Sequence, residues 1–158
     1  MSMDIVDYYE ACNATSITLM CVLKGGFKFL ADLVDGIERT IRARGIVLPM
    51  SVEFVRVKSY VNDVSIHEPI LTGLGDPSEY KDKNVSTSKY YAVVYLLVKR
   101  TSPRNKYRPD FVGFEVPNRF VVGYALDYND NFRDLHHICV INEVGQKKFS
   151  VPCTSKSV

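Results

Sequence analysis

The chain has 158 residues, 20 of them basic and 18 acidic, a formal net charge of +2, and 46% hydrophobic residues. This length suffices for a real hydrophobic core, so we expect a single domain over residues 1–158. The small net charge does not indicate a nucleic-acid partner, and no apolar run is long enough to span a bilayer. The first residues lack the basic region of a signal peptide, so we expect a cytoplasmic protein with no membrane partner.

The four cysteines agree with a reducing compartment. Cys12, Cys21, Cys139 and Cys153 show no CxxC spacing, and two of them lie inside apolar runs typical of strands. Reduced thiols are therefore favoured, with disulfides or a metal site as the alternatives.

The first half of the chain alternates between helical and strand-like patterns. Asp4–Cys12 is predicted to be the end of a helix, and the apolar run Ile17–Leu23 a buried strand. A stripe of apolar residues at helical spacing follows, on a helix that ends near Gly45. Ser51–Tyr60 is predicted to be a second strand, and the polar residues 61–82, with their glycines and prolines, a long exposed loop.

The second half of the chain is rich in strand signals. The uncharged run Tyr91–Val98 predicts a buried strand that ends at Lys99. A turn-rich basic loop is expected over Ser102–Pro109. Three more strand candidates follow, over Asp110–Val116, Phe120–Leu126 and His136–Asn142. A strand, a helix and then further strands predict an α/β sheet.

A few residues stand out as candidates for a site. Lys24, Gly25 and Gly26 lie between a strand and a helix, where backbone N–H groups suit an anion, although the bare pattern favours a plain tight turn. Lys99 and Asp127 each end an apolar strand, where α/β folds bind ligands, but a solvated strand end is the simpler alternative. Adjacent strand residues point to opposite faces, so His136 and His137 do not predict a metal site.

Four segments together resemble the hypoxanthine-guanine phosphoribosyltransferases of purine salvage. They are VLKGGFKFLADL (22–33), VEFVRVKSY (52–60), LLVKRT (96–101) and RPDFVGFEVPNRFVVGYALDYNDNFRDLHHICVIN (108–142). The resemblance implies a type I phosphoribosyltransferase fold, an α/β fold with a mainly parallel sheet and flanking helices. It also implies transfer of a 5-phosphoribosyl group from phosphoribosyl pyrophosphate to N9 of hypoxanthine or guanine, which gives IMP or GMP and releases pyrophosphate.

The resemblance assigns purine contacts to four residues. Lys99 matches the lysine that reads the exocyclic O6 of the base, and Phe120 matches the aromatic residue that stacks on it. Val121 matches the residue whose backbone contacts the purine edge. Asp127, grouped with these purine contacts, matches the carboxylate that holds the cofactor Mg²⁺ near the pyrophosphate. A lysine donor suits a carbonyl oxygen, so 6-oxopurines are expected to be preferred over adenine.

Other matches fall on the pyrophosphate site and on a mobile loop. Lys24 and Gly25 match the pyrophosphate loop, which in the family contains a non-proline cis peptide, and Arg133 matches the pyrophosphate-binding arginine. Ser59 and Tyr60 match the start of the loop that closes over the reacting groups. Such a lid excludes water from an oxocarbenium-like centre.

One family segment has no counterpart in this sequence. After Lys83-Asn84-Val85, family members continue with two acidic residues, the Asp proposed as the base, a Thr-Gly loop for the 5′-phosphate and a helix. Here the chain passes directly through STSKYYAVVY, which indicates a deletion near residues 86–95. We therefore expect the sheet to lack one central strand and its covering helix, and apolar area on the order of hundreds of Å² to be exposed.

The missing segment decides what we expect of the function. Without the base and the phosphate loop the chain is expected to be weakly active or inactive, since general base catalysis alone contributes about 10²–10⁴-fold. The alternative is a non-catalytic protein that binds purine or pairs with a full-length relative. A homo-oligomer is also expected from the family.

Overall fold

Helices and strands alternate in the computed structural model, which describes residues 1–61, 64–72, 92–100 and 108–151. The side chains of 57–61 and 64–72 are not part of that description. The helices are α1 (Ser2–Ala11), α2 (Phe27–Arg44) and α3 (Glu143–Phe149). The strands are β1 (Ile17–Leu23), β2 (Met50–Val61), β3 (Val64–Thr72), β4 (Val94–Arg100), β5 (Phe111–Pro117), β6 (Val121–Val122) and β7 (Cys139–Val140).

The described strands form three small sheets. β1 and β2 are parallel, with Ile17 opposite Met50, and β3 runs antiparallel along the other edge of β2. β4 and β5 form a second parallel pair, with Val94 opposite Phe111. β6 and β7 form a short antiparallel pair. The parallel pairs are the α/β arrangement that the sequence predicts.

The main core lies between helices α1 and α2. Ile5 and Val6 of α1 and Leu33 and Ile37 of α2 are buried together, as the helical spacing of the apolar residues predicts. Residues of both parallel pairs pack against this cluster, among them Leu19 of β1, Val94 of β4 and Phe111 of β5. One layer of helices therefore covers one face of both parallel pairs.

The opposite face of the parallel pairs is partly open. Successive strand residues point to opposite faces, so Met20 and Val22 lie on the far side of β1 from the helices, as Phe114 does on β5. Their side chains are 49%, 52% and 65% exposed. Among the described strands, β1 pairs only with β2, and β4 only with β5. These open edges and exposed apolar side chains are what the loss of a central strand and its helix predicts.

The loop predicted over residues 61–82 is wrong in part. Val64–Thr72 forms β3, which pairs antiparallel with β2 through a register shift between Lys58 and Tyr60. Pro69 disfavours a central strand but is tolerated at the edge of a sheet, and β3 has β2 as its only neighbour among the described strands. Residues 62–63 and 73–82 of the predicted loop lie outside the described residues.

Two predicted strands are too long. Of Phe120–Leu126 only Val121–Val122 is a strand, and of His136–Asn142 only Cys139–Val140. The backbone leaves the extended conformation after β6, with φ of 54° at Tyr124 and 73° at Ala125. An apolar run in a tight turn cannot be distinguished from a strand by composition alone.

Helix α3 was not predicted. The Asn142 side chain accepts a hydrogen bond from the backbone N–H of Gly145 at 2.8 Å, and Glu143 lies in the first turn. An N-cap followed by an acidic residue is a start signal that could have indicated this helix.

Several sequence predictions lie outside the described residues. These are Asn84-Val85, the deletion region up to residue 91 and most of the basic loop, residues 102–107. Cys12, Cys21 and Cys139 have free thiols, whereas Cys153 is not described. Across the described helices, none is both long and apolar enough to cross a membrane.

Candidate functional site

The segment after β6 is folded into a tight turn that carries most of the candidate site. Gly123 has φ of 89°, and a Cβ placed there would lie 2.0 Å from the carbonyl oxygen of His137. The N–H of Gly123 donates to the Leu126 carbonyl at 2.9 Å, and that of Tyr124 to the Leu135 carbonyl at 2.8 Å. These bonds fix the backbone that presents the site residues downstream.

The end of β4 and the start of β6 bring together a cation and an aromatic ring. The Lys99 ammonium lies 5.8 Å from the centroid of the Phe120 ring. The Phe120 ring packs edge-on against Tyr128, with the two centroids 5.5 Å apart, so Tyr128 holds the orientation of the Phe120 ring. Residues 21 positions apart in the sequence thus form one element of the candidate site.

The main chain next to Phe120 is held by β7. Val121 pairs with Val140, and the Phe120 carbonyl accepts the Ile141 N–H at 3.2 Å. Ser59 and Tyr60, the predicted lid residues, belong to β2, but their side chains lie outside the described residues.

The Lys24 loop lies against the same segment. The Leu23–Lys24 peptide bond is cis, in the loop where the resemblance implies such a bond. A Cβ on Gly25 would lie 3.4 Å from Cδ2 of Leu126, so the loop and the turn after β6 are in contact. The Lys24 Nζ lies 2.9 Å from Oδ1 of Asp130.

Arg133 completes a charged cluster with Lys24. Its Nη2 lies 2.8 Å from Oδ1 of Asp127 and 3.0 Å from Oδ1 of Asp130. Its Nη1 donates to the Ala125 carbonyl at 2.6 Å. Oδ2 of Asp127 accepts the Asp130 N–H at 2.6 Å. The Lys24 hydrogen bond, with that of Arg133 second, lowers the pKa of Asp130 to about 2, so this carboxylate is charged at neutral pH.

Comparison with known proteins places the chain in a family. It is 81% identical to the hypoxanthine-guanine phosphoribosyltransferase of Schistosoma mansoni over 180 aligned positions, which take in 100% of this chain and 63% of that protein. It is 48% identical to the same enzyme of Rattus norvegicus over 165 positions, 90% of this chain and 76% of that protein. The chain belongs to the hypoxanthine-guanine phosphoribosyltransferase family. No protein-family model matches it.

A solved structure agrees with this assignment. The crystal structure of the Schistosoma mansoni enzyme in complex with IMP superposes with a TM-score of 0.72 and 70% sequence identity, over 94% of this chain and 77% of that chain. The type I phosphoribosyltransferase fold predicted from the sequence is therefore confirmed.

This chain lacks positions that the Schistosoma mansoni protein has. The 180 aligned positions exceed the 158 residues of the chain by 22, so at least 22 positions of the Schistosoma protein have no counterpart here. The chain spans just under two thirds of the length of that relative. The location of the deletion near residues 86–95 stays a prediction from the sequence.

Sequence reasoning missed a contact between α2 and the turn after β6. The Tyr124 hydroxyl donates to Oδ2 of Asp32, and the Lys28 ammonium lies 5.5 Å from the Tyr124 ring centroid. Burial, helped by the hydrogen bond to Asp32, raises the pKa of Tyr124 to about 12. No spacing rule joins positions 32 and 124, so only the fold reveals this contact.

The donor set around Asp127 suits a magnesium ion shared with a substrate. Within the described part of the chain, no group of three or more His, Cys, Asp or Glu side chains could hold a metal by itself. Mg²⁺ is commonly bound by one or two carboxylates together with substrate phosphates. Asp127 is half-buried and held at both oxygens, so it offers one oriented carboxylate of that kind.

Proposed function

We propose that this chain binds hypoxanthine or guanine beside Lys99 and Phe120 and binds pyrophosphate, or the diphosphate of phosphoribosyl pyrophosphate, beside Lys24, Gly25 and Arg133. We further propose that it transfers the phosphoribosyl group weakly or not at all. The observation that carries the proposal is the placement of Lys99 5.8 Å from the Phe120 ring centroid.

The purine half of the proposal follows from the chemistry of these two side chains. The Phe120 ring offers a flat apolar surface, and stacking of a base on an aromatic ring contributes about 1–3 kcal/mol. An ammonium donates only, so Lys99 suits the O6 carbonyl of hypoxanthine or guanine and not the amine of adenine. The Val121 backbone, held by its pairing with Val140, would contact the edge of the base.

The diphosphate half rests on the paired cations. Lys24 and Arg133 both reach Oδ1 of Asp130, at 2.9 and 3.0 Å, so two positive groups converge on one small region. Glycine at position 25 allows the backbone to approach an anion closely. Asp127 would hold Mg²⁺, which, when bound, neutralises charge on the departing pyrophosphate.

Weak catalysis follows from what the sequence lacks. The acidic pair, the base and the phosphate loop of the family have no counterpart among the residues of this chain. Ser59 and Tyr60 remain as the start of the lid, but a lid excludes water and does not replace a base. We also propose that residues 1–158 act as one domain in the cytoplasm, as a homo-oligomer or paired with a full-length relative.

The test is turnover of guanine by the purified chain with phosphoribosyl pyrophosphate and Mg²⁺, together with guanine binding by calorimetry. We expect little or no nucleotide, but binding that Lys99→Ala weakens by about tenfold or more. Lys148→Ala is the matched control, because the Lys148 ammonium also lies near an aromatic ring, 5.5 Å from the Phe149 centroid, and is not one of the proposed site residues. Rapid turnover would contradict the weak catalysis, and equal binding by all three proteins would contradict the purine site.

A further inference from the structure

We infer that Asp130 is an internal competitor for the diphosphate: its carboxylate bridges Lys24 and Arg133 where a phosphate oxygen would lie, and it must move away before the diphosphate binds there. This inference rests on the proposed diphosphate site. It assigns a role in setting affinity to a residue for which the sequence resemblance implies no role.

The geometry is that of a bound anion. A single oxygen, Oδ1 of Asp130, lies 2.9 Å from Lys24 Nζ and 3.0 Å from Arg133 Nη2. Lys24 and Asp130 come from distant parts of the chain, so the contact arises from the fold and not from local sequence. An oxygen of a phosphate group that met both cations would need the same position.

The carboxylate is free to leave. The Asp130 side chain is 67% exposed and the Lys24 side chain 46%, so rotation toward solvent opens no cavity. The Asp130 backbone is held separately, by its N–H bond to Asp127 at 2.6 Å. Exposed ion pairs contribute little to stability, so a more highly charged diphosphate can displace this one.

The Arg133 guanidinium does not depend on Asp130 for its position. The guanidinium of Arg133 is also held by the Ala125 carbonyl at 2.6 Å and by Asp127 at 2.8 Å. The Lys24 backbone is set by the loop that contacts Leu126. Removal of the Asp130 carboxylate therefore leaves Arg133 in place and leaves the half-exposed Lys24 ammonium available to an anion.

The backbone at position 130 permits a clean substitution. Asp130 has φ of 62°, in the left-handed region that asparagine and glycine also adopt readily. Asp130→Asn keeps the shape of the side chain and removes its charge. Asp130→Gly is a second variant that removes the side chain altogether. Asp134→Asn is the matched control, because it removes one negative charge from an exposed position in the same segment.

The experiment measures binding of inorganic pyrophosphate to the full chain by calorimetry, with Mg²⁺ and again with EDTA. We expect Asp130→Asn and Asp130→Gly to bind about three- to tenfold more tightly than the wild type in both conditions. Asp134→Asn should match the wild type. Circular dichroism melting verifies that each variant folds.

Three results would overturn the inference alone. The first is unchanged or weaker binding of pyrophosphate by both Asp130 variants in EDTA. The second is an equal gain in affinity in Asp134→Asn. The third is a loss of affinity in the Asp130 variants only when Mg²⁺ is present, which would make Asp130 a metal ligand. If no protein binds pyrophosphate in either condition, the proposed diphosphate site itself fails and the inference fails with it. The wild-type titration thus separates the two failures.

Discussion

The turn that carries most of the candidate site depends on the backbone conformation of Gly123, which combines a positive φ with a tight steric environment. Its φ is 89°, and an added Cβ would lie 2.0 Å from the His137 carbonyl oxygen and 3.2 Å from the Leu135 Cβ. Gly45, at the end of α2, also has positive φ, 67°, but has no atom within 4 Å of an added Cβ. Alanine substitutions at these two glycines therefore separate the cost of backbone strain from the cost of steric overlap.

Gly123→Ala is expected to lower the free energy of unfolding by about 3 kcal/mol or more, because strain and overlap add. Gly45→Ala, with strain alone, should lower it by about 1 kcal/mol. Urea unfolding of both variants measures the difference. Equal losses would show that the turn after β6 can relax around the added methyl group.

The raised pKa of Tyr124 predicts how the stability of the chain changes at high pH. Its pKa rises from 10.0 to about 12 in the folded chain, chiefly through burial. Between these values the unfolded state loses its proton while the folded state keeps it, so the contribution of Tyr124 is complete below pH 10 and is lost toward pH 12. The stability of the wild type relative to Tyr124→Phe should therefore fall between about pH 9 and about pH 11.

Urea unfolding of both proteins at the two pH values tests this expectation. Asp32→Asn removes the acceptor charge and should make the fall in stability smaller, because it brings the folded pKa of Tyr124 closer to the unfolded value. An identical pH dependence in wild type and Tyr124→Phe would contradict the role of Tyr124.

Among the elements, helices α1 and α2 connect the two parallel pairs of strands. Ile37 is completely buried in their shared core, which also receives Leu19, Val94 and Phe111. Arg44 at the end of α2 adds ion pairs to Asp7 and Glu10 of α1. Exposed pairs of this kind contribute about 0–1 kcal/mol, so the apolar core dominates the connection.

Ile37→Val removes one methylene group from that core and should cost about 1 kcal/mol in the free energy of unfolding. Val47→Ala removes more carbon from a side chain that is 90% exposed, and should be nearly neutral.

The far-ultraviolet circular dichroism and the tyrosine fluorescence of the chain should follow one transition in urea, since both parallel pairs share the core. Separate transitions would show that the two halves unfold independently.

The elements also show what the sequence could predict. β1 and α2 have regular apolar patterns: both ends of β1 were predicted correctly, and for α2 the helix and its end near Gly45 were. β3 was missed because Pro69 and the polar residues around it indicate a loop, whereas the neighbouring β2 supplies the pairing. At the site, the resemblance implied both the cis peptide and the roles of Lys24, Lys99 and Arg133. The Asp130 bridge depends on the fold and carries no local signal.

For the whole molecule, the main feature is the partly open face that the two parallel pairs of strands present away from helices α1 and α2. Met20, Val22 and Phe114 expose apolar surface on the side away from the helices, and the edges of β1 and β4 have no partner among the described strands. We expect the positions of the Schistosoma mansoni relative that have no counterpart in this chain to cover that face.

Insertion of those positions near residues 86–95 should raise the free energy of unfolding by about 3 kcal/mol or more, because the added strand and helix bury apolar area. It should also reduce binding of the apolar dye ANS and restore turnover of guanine. A Gly/Ser insertion of the same length is the control and should do neither. Unchanged dye binding after the native insertion would contradict the assignment of the open face.

The strand edges that have no partner among the described strands also bear on how much of this chain accumulates in a cell. Unpaired edges beside exposed apolar side chains are a template for pairing with other chains, and closed sheets avoid that hazard. Chaperones and proteases act on exposed surface of this kind, and differences of about 1–2 kcal/mol in stability change abundance several-fold. At equal rates of synthesis, this chain should therefore reach a lower steady-state level than the variant that carries the native insertion.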